Sequence, residues 1–483
     1  MLGGLVAVLL ALAGCQALLR DPYVGSIGPS SNPQTVEAVE RNDPQAEIGA
    51  REHPRILATY GGEYRDEKTE RLVARIVGGL TAVSENPDQS FRITILDSPA
   101  INAFALPGGY LYVTRGLLAL ANDASEVAAV LAHEMAHVTA NHGIERQQRE
   151  QAEVIASRVV EEVLSSRIAG KEALARGKLR LAAFSRAQEL QADVIGIRML
   201  GKAGYDPYAA SRFLRTMAAY SAYTAAETGG DQSLDFLSSH PDAPQRVDLA
   251  WRHARAIGPE GIGESGRTYF LDGIDGLLFG DRPEQGYVRD RQFIHPELRI
   301  RFEVPDGFRI DNTATAVLAT GPGDVAIRFD SVEIPPRRSL IDYLQSGWVT
   351  GLIEGSAQDI TINGLEAATA RARADRWDFD ITVVRVEDRV YRILVAAPSE
   401  SPTFETTANA FRNSFRQMSE SEADAISPLR VRTVTVRPGD SVYSLASRNV
   451  GIERKVAFFR AINGLEPSAV LEPGRKIKIV TDQ

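Results

Sequence analysis

Cysteine is almost absent: Cys15 is the only one in 483 residues, so the chain can form no internal disulfide. Long apolar runs are missing after the first dozen residues, and none reaches the roughly eighteen needed to span a bilayer. Positive charge is in deficit, with 54 Lys and Arg against 63 Asp and Glu and a net charge of −9. Without a basic stripe, that balance argues against nucleic acid as a partner and disfavours anionic lipid unless acyl chains help. No Gly-rich phosphate loop is present. What remains is ordinary folded-protein composition, 44% hydrophobic and 24% charged, in a chain long enough for about three domains.

Against that background, His133-Glu134-Met135-Ala136-His137 stands out. Asp123, Ser125 and Glu126 followed by Val127, Ala128, Val130, Leu131 and Ala132 predict a capped helix that carries it. On a helix, His133 and His137 lie about 40° apart on one face, close enough for both rings to reach one metal ion. Glu134 then stands beside the metal as a base for water at an open coordination position. The metzincin pattern is excluded, because Gly143 occupies its third histidine position and Ala140 its glycine. His142 falls about 900° beyond His133, on the opposite helix face, which predicts a capping or packing role.

Further on, Glu189 and Asp193 share the face of a second predicted helix, Glu189 as a candidate third ligand and Asp193 as support for a ligand imidazole. Alone, the pair would read as a solvated acidic face. Three motifs in order, His133-Glu134-x-x-His137, Glu189-x-x-x-Asp193 and Ser239-His240-Pro241 with Arg246, resemble the gluzincin metallopeptidases that include HtpX, BepA, LoiP, Oma and the CAAX prenyl proteases. The resemblance runs from about residue 53 to 255. It implies one zinc on His133, His137 and Glu189, with Glu134 as base. It also implies catalytic roles for His240, as oxyanion donor or as a cover over the resting metal, and for Arg246 nearby. Upstream, Ala103-Phe104-Ala105-Leu106 reads as a strand, followed by a turn at Pro107-Gly108-Gly109 and a second strand from Tyr110. Its edge is a candidate for substrate addition, and core packing is the alternative.

The N-terminus predicts the compartment. Leu2 to Leu12 is apolar, and Leu12-Ala13-Gly14-Cys15 matches a bacterial lipoprotein cleavage box, making residues 1–15 a signal peptide with Cys15 lipidated. The basic residues that usually precede such a run are missing, which keeps a simple N-terminal membrane anchor open. Gln16 after the cysteine points to the outer membrane. Residues 16–52 read as a flexible tether rich in Gly, Pro, Ser, Asn and Gln, ahead of a peptidase domain over 53–258. Between its motifs, Val154, Ile155, Val159, Val160, Val163 and Leu164 are spaced for one helix face, predicting a hairpin packed beside the site.

Residues 286–418 alternate like antiparallel strands, with turns at Asn363-Gly364 and Glu387-Asp388 and helices near Ser339–Trp348 and Phe404–Phe415. An α+β sandwich resembling PsbP or Mog is expected there, with no catalytic constellation and either partner binding or spacing as its task. Residues 431–481 resemble a LysM module. That resemblance implies a βααβ fold that binds peptidoglycan through Asp440, Ser441, Asn463, Gly464 and Leu465.

The fold class expected is therefore multidomain α+β: a mainly helical zincin domain with a small sheet, the sandwich, and the LysM module. The expected function is zinc-dependent endopeptidase action on misfolded or misassembled envelope proteins in the bacterial periplasm. The rivals are a non-catalytic or gated peptidoglycan-bound scaffold with chaperone activity, and a peptidoglycan hydrolase.

Overall fold

The computed structural model describes residues 44–85, 90–163, 167–228, 235–240, 243–313, 316–452 and 454–483. Cys15, its cleavage box, Pro241 and Leu164 lie outside them. The chain divides into two compact units, the first holding Ser233–Ile274 and Ile462–Glu466 with everything up to Tyr220, the second the remainder.

The first unit begins with helices α1 (Pro44–Thr59) and α2 (Glu67–Thr81), then strands β1 (Arg92–Leu96), β2 (Ala103–Leu106) and β3 (Tyr110–Thr114). Helices α3 (Arg115–Leu120), α4 (Ala124–Thr139), α5 (His142–Val163), α6 (Arg167–Lys202), α7 (Ala209–Thr228), α8 (Asp235–Ser239), α9 (Ala243–Ile257) and α10 (Arg267–Ile274) follow. Helix α1 starts at Pro44, inside the stretch 16–52 expected to be a tether, whose residues before Pro44 lie outside the described ones. Its Ile56 and Leu57 pack on Leu96, Tyr110 and Tyr112, and Gly49 lies so close to the sheet that a Cβ there would come 2.3 Å from Pro107 O. The unit also runs past the expected end at 258: in α10, Gly273 lies against Leu72 of α2 and its carbonyl accepts from Thr69 Oγ1.

The small sheet has the order β1-β3-β2, with β1 parallel and β2 antiparallel to β3. Strand β2 is therefore an edge, as the Ala103–Leu106 reading anticipates. Helix α4 is buried on all sides, with only His137 partly open, so it can present side chains only to its neighbours. Asp123 caps it, its Oδ1 accepting from Glu126 N at 2.9 Å. Glu126 reaches back one residue further than a capping box requires, accepting from Asn122 N at 2.7 Å. Arg212 of α7 ties the cap down by pairing with both Asp123 and Asp206. Along α5, Ile155 is 61% exposed, against the expectation that its apolar residues pack beside the site. The side chains of Val159, Val160 and Val163 lie outside the description.

Helix α6 crosses α4 at Gly196. A Cβ there would stand 3.1 Å from His133 N, 3.3 Å from Ala132 C and 3.4 Å from His133 Cα, all backbone atoms of α4. A hydrogen side chain allows that approach without displacing α4, and it brings the preceding turns of α6 level with the histidines.

In the second unit, a four-stranded sheet contains β4 (Tyr287–Arg289), β5 (Gln292–His295), β6 (Ile300–Glu303) and β14 (Arg416–Gln417), in the order β14-β6-β5-β4. A seven-stranded sheet contains β7 (Arg309–Asn312), β8 (Val317–Thr320), β9 (Ala326–Val332), β10 (Gln358–Ile362), β11 (Leu365–Ala374), β12 (Trp377–Val386) and β13 (Arg389–Pro398), in the order β10-β11-β12-β13-β9-β8-β7. Every pairing in it is antiparallel. Asn363 and Glu387 take the positive φ that their predicted turns require. Helices α11 (Leu340–Leu344), α12 (Phe404–Ser414) and α13 (Glu420–Asp424) accompany them. The helix expected over Ser339–Trp348 stops at Leu344, and Trp348 instead stacks back on Tyr343. The C-terminal elements are β15 (Arg430–Thr435), α14 (Val442–Ala446), α15 (Lys455–Ile462) and β16 (Lys476–Thr481), with β15 and β16 antiparallel. No helix among the described residues is long and apolar enough to cross a membrane.

Replacing Gly196 with alanine forces α4 and α6 apart by a few tenths of an ångström. We expect a stability loss of about 1–3 kcal/mol from overpacking, measured by denaturant unfolding, with metal uptake weakened alongside it.

Candidate metal centre

Helix α4 supplies His133, Glu134 and His137, and α6 supplies Glu189 and Asp193. The end of α8 brings in His240, and α9 brings in Arg246. The Nε2 atoms of His133 and His137 are 3.0 Å apart. Glu189 Oε2 is 3.3 Å from His133 Nε2, and Glu189 Oε1 is 3.5 Å from His137 Nε2. His240 Nδ1 closes a fourth corner, 3.3 Å from His133 Nε2 and 2.8 Å from Glu189 Oε2. These four groups offer donor atoms all within 4.8 Å of one another. Bonds of roughly 2.0–2.1 Å to a tetrahedral ion would separate donors by about 3.3 Å, so the spacing fits.

The donor chemistry fits as well. His133 Nδ1 points at Asp193 Oδ1 across 2.9 Å, and His137 Nδ1 points at His142 Nδ1 across 2.9 Å. With protons on those outer nitrogens, both inner Nε2 atoms carry lone pairs that face each other and need a cation between them. Glu189 Oε1, buried, has no hydrogen-bond partner either, and such an orphan is costly unless something coordinates it.

The groups form one buried electrostatic cluster. Burial opposes charge on His133, but its hydrogen bonds to Asp193 and Glu189 outweigh that and raise its pKa to about 9. Burial, then the neighbouring His133, hold His137 well below its ordinary value. Burial favours a carboxylate's neutral form, yet the surrounding cations win at Glu189, which is lowered by His133 and His240, and at Asp193, lowered to about 2 chiefly by Arg246. Glu134 goes the other way. Buried, with Oε1 unbonded and His240 Nε2 3.5 Å away, it is raised by desolvation above the usual carboxylate range.

Arg246 does not stand in the position of a catalytic group. Its guanidinium is 2% exposed and closes as a fork on Asp193, Nε to Oδ2 and Nη2 to Oδ1 both at 2.7 Å. Its Nη1 donates to His240 O at 3.1 Å. It positions Asp193 and the His240 backbone, and its Nη1 lies 3.4 Å from Glu189 Oε2. Sequence reasoning also misplaced His142. Helix α4 ends at Thr139, and Asn141 adopts φ of +57°, which reverses the chain and returns His142 to the side of His137.

A cleft of about 210 Å³ opens at this centre. Phe104, Ala105 and Leu106 of the β2 edge, Glu134, His137, Glu189 and His240 of the donor cluster, and Asn141, Ile144 and Arg146 line it. The candidate glycan residues are elsewhere and unequal: Asp440, Ser441, Gly464 and Leu465 reach solvent at least in part, whereas Asn463 is 1% exposed. Asp440 Oδ2 accepts from Arg437 N, and Ser441 caps α14 through Ser444 N. Asn463 is thus buried, which its place in a loop motif did not reveal.

Residues 66–252 match the model of Peptidase family M48, and residues 434–480 that of the LysM domain. The chain carries a peptidase family M48 domain and a LysM domain. Over 202 residues it is 31% identical to Mitochondrial metalloendopeptidase OMA1 of Schizosaccharomyces pombe, covering 40% of this chain and 56% of that one. Over 191 residues it is 31% identical to Beta-barrel assembly-enhancing protease of Yersinia pestis, covering 37% of this chain and 38% of that one. The chain thus spans little more than half the length of such relatives, or less. The solution structure of PsbP from Synechocystis sp. PCC 6803 aligns with 26% of the chain at 15% identity and a TM-score of 0.21, too low to carry a fold argument.

If Asp193 orients His133 for the metal, Asp193→Asn keeps an acceptor but loses the charge that faces Arg246. Zinc affinity, measured by chelator competition, should fall about 10–100-fold.

Proposed function

We propose that the M48 domain is a zinc-dependent endopeptidase of the bacterial cell envelope that degrades misfolded or misassembled proteins. The carrying observation is the convergence of His133, His137 and Glu189 on one point, with Glu134 beside it and a free strand edge along the same cleft. His133, His137 and Glu189 would hold the zinc, which when bound supplies Lewis acidity to the scissile carbonyl and to the attacking water. An extended substrate pairs with the main chain of Ala103–Leu106, which fixes its carbonyl over the centre with little demand on sequence. Glu134 takes the water's proton on its carboxylate and passes it to the leaving amide nitrogen. Burial, which raises its affinity for that proton, suits it to hold the proton between the two events. Asp193 holds His133 through Nδ1, and Arg246 holds Asp193.

His240 supports the gated form of the reading. Its Nδ1 takes the fourth corner of the donor set, the place water or substrate must enter, which is where a cover over the resting metal would sit. Moved aside, the ring can turn a nitrogen to the developing oxyanion. The LysM domain would hold peptidoglycan through the exposed Asp440–Ser441 and Gly464–Leu465 segments. The middle domain, with its seven-stranded and four-stranded sheets, would serve as a partner-binding module or spacer. Cys15 would anchor the chain by lipid, to the outer membrane by its Gln16 neighbour.

Purified protein should carry one zinc per chain and cleave casein. Glu134→Gln should keep the zinc and lose cleavage, and chelation should abolish cleavage until zinc is returned. Zinc uptake without cleavage by the unmutated protein would favour the gated scaffold, and no zinc uptake would sink the enzyme. A second variant, His240→Ala, should speed cleavage of a short unstructured peptide if the ring acts chiefly as a cover. A fall on the order of 10²–10³ would make it the oxyanion donor instead.

A further inference from the structure

His142 belongs to none of the three motifs, yet it is buried to 2% exposure at the wall of the metal centre. One of its ring nitrogens faces the metal-site histidine and the other faces α6. His137 Nδ1 and His142 Nδ1 are 2.9 Å apart, and His142 Nε2 is 3.1 Å from Gln191 Oε1. Exactly one proton can lie between the two Nδ1 atoms. With the inner Nε2 of His137 turned to the metal, that proton belongs to His137 Nδ1, and His142 must accept it on a bare Nδ1. Its own proton is then on Nε2, where Gln191 Oε1 receives it. All three groups agree on one tautomer assignment.

The backbone keeps His142 in register for this. Asn141, in its left-handed conformation, turns the chain back toward α4. Gln188 Nε2, one residue ahead of Glu189 on α6, donates to His142 O at 3.2 Å. Helix α6 therefore grips the His142 backbone through Gln188 and its ring through Gln191, on either side of the carboxylate it sends to the metal.

We propose that His142 is a positioning residue for the metal centre: as a neutral acceptor it fixes the tautomer and ring angle of His137, as Asp193 does for His133. This rests on the metal reading above. The two ligand histidines would then be supported unequally, His133 by a carboxylate and His137 by an uncharged His142–Gln191 chain. A second buried carboxylate against His137 would add negative charge to a site that already holds Glu134, Glu189 and Asp193, so a neutral acceptor avoids that cost.

The test is zinc affinity by chelator competition, the visible spectrum of the cobalt-substituted protein, and the melting temperature of the metal-free protein, for the full chain and three variants. His142→Ala and His142→Leu should each weaken zinc binding about 10–100-fold and shift the cobalt bands. Leucine refills the space without the acceptor. His142→Asn, whose Oδ1 stands where Nδ1 stood, should recover most of the affinity and the original bands. Should the alanine variant fail to fold, leucine against asparagine decides the matter. Unmutated affinity in the leucine variant would overturn the proposal by reducing His142 to packing, and an asparagine variant as weak as the leucine one would overturn the acceptor role. Either result leaves zinc binding by the unmutated chain intact, whereas its absence would overturn the metal reading as well.

Discussion

The approach of two helix backbones at Gly196 is the constraint on which the chemistry rests. Helix α4 is surrounded on all sides, so its histidines can be completed only by side chains that a neighbouring helix delivers at short range. A glutamate reaches at most a few ångströms from its own backbone, and every ångström between helix axes is lost from that reach. With no side chain at Gly196, α6 runs in contact with the His133 backbone. Gln188, Glu189, Gln191 and Asp193 then all face the one turn of α4 that carries the histidines.

Charge compensation follows from that closeness. Glu189 and Asp193 are nearly excluded from water, which would favour their neutral forms, yet both are held ionised by neighbours. Arg246 is central to this. One guanidinium satisfies both oxygens of Asp193 and the carbonyl of His240, so the support of a ligand histidine and the seat of the covering histidine share a single cation. A buried cation of this kind is costly to strand, and the same bonds that stabilise the site tie the α8–α9 junction to it.

What could be read from residues was whatever is local. The His133–His137 spacing, the Asp123 cap, the Glu189–Asp193 pair on one helical face and the edge position of Ala103–Leu106 each depend on periodicity or on neighbours within a turn. The turns at Asn363-Gly364 and Glu387-Asp388 are of the same kind. Misreadings arose where a local pattern is cut by a change of chain direction or a distant partner. Extending the helix past Asn141, which ends it, puts His142 on the wrong face, and a loop motif says nothing of the burial of Asn463. The start of α1 was hidden because Pro44 to Thr59 is polar overall and earns its order from a few contacts with the sheet. For Gly196 the sequence does hold a signal, a glycine inside a helical pattern seven residues after Glu189, which is a mark of close backbone approach.

By itself, then, the sequence of this protein determined which groups exist and which of them share a helix face, because those properties need only a repeat of 3.6 residues and the chemistry of side chains. Tertiary structure alone decided which faces meet. It turned Arg246 from a candidate for catalysis into the clamp on Asp193, brought His142 back to His137, and set His240 at the fourth corner of the donor set. Those outcomes depend on distances across 51 to 113 positions of chain and on a reversal at Asn141, which no spacing along one element encodes.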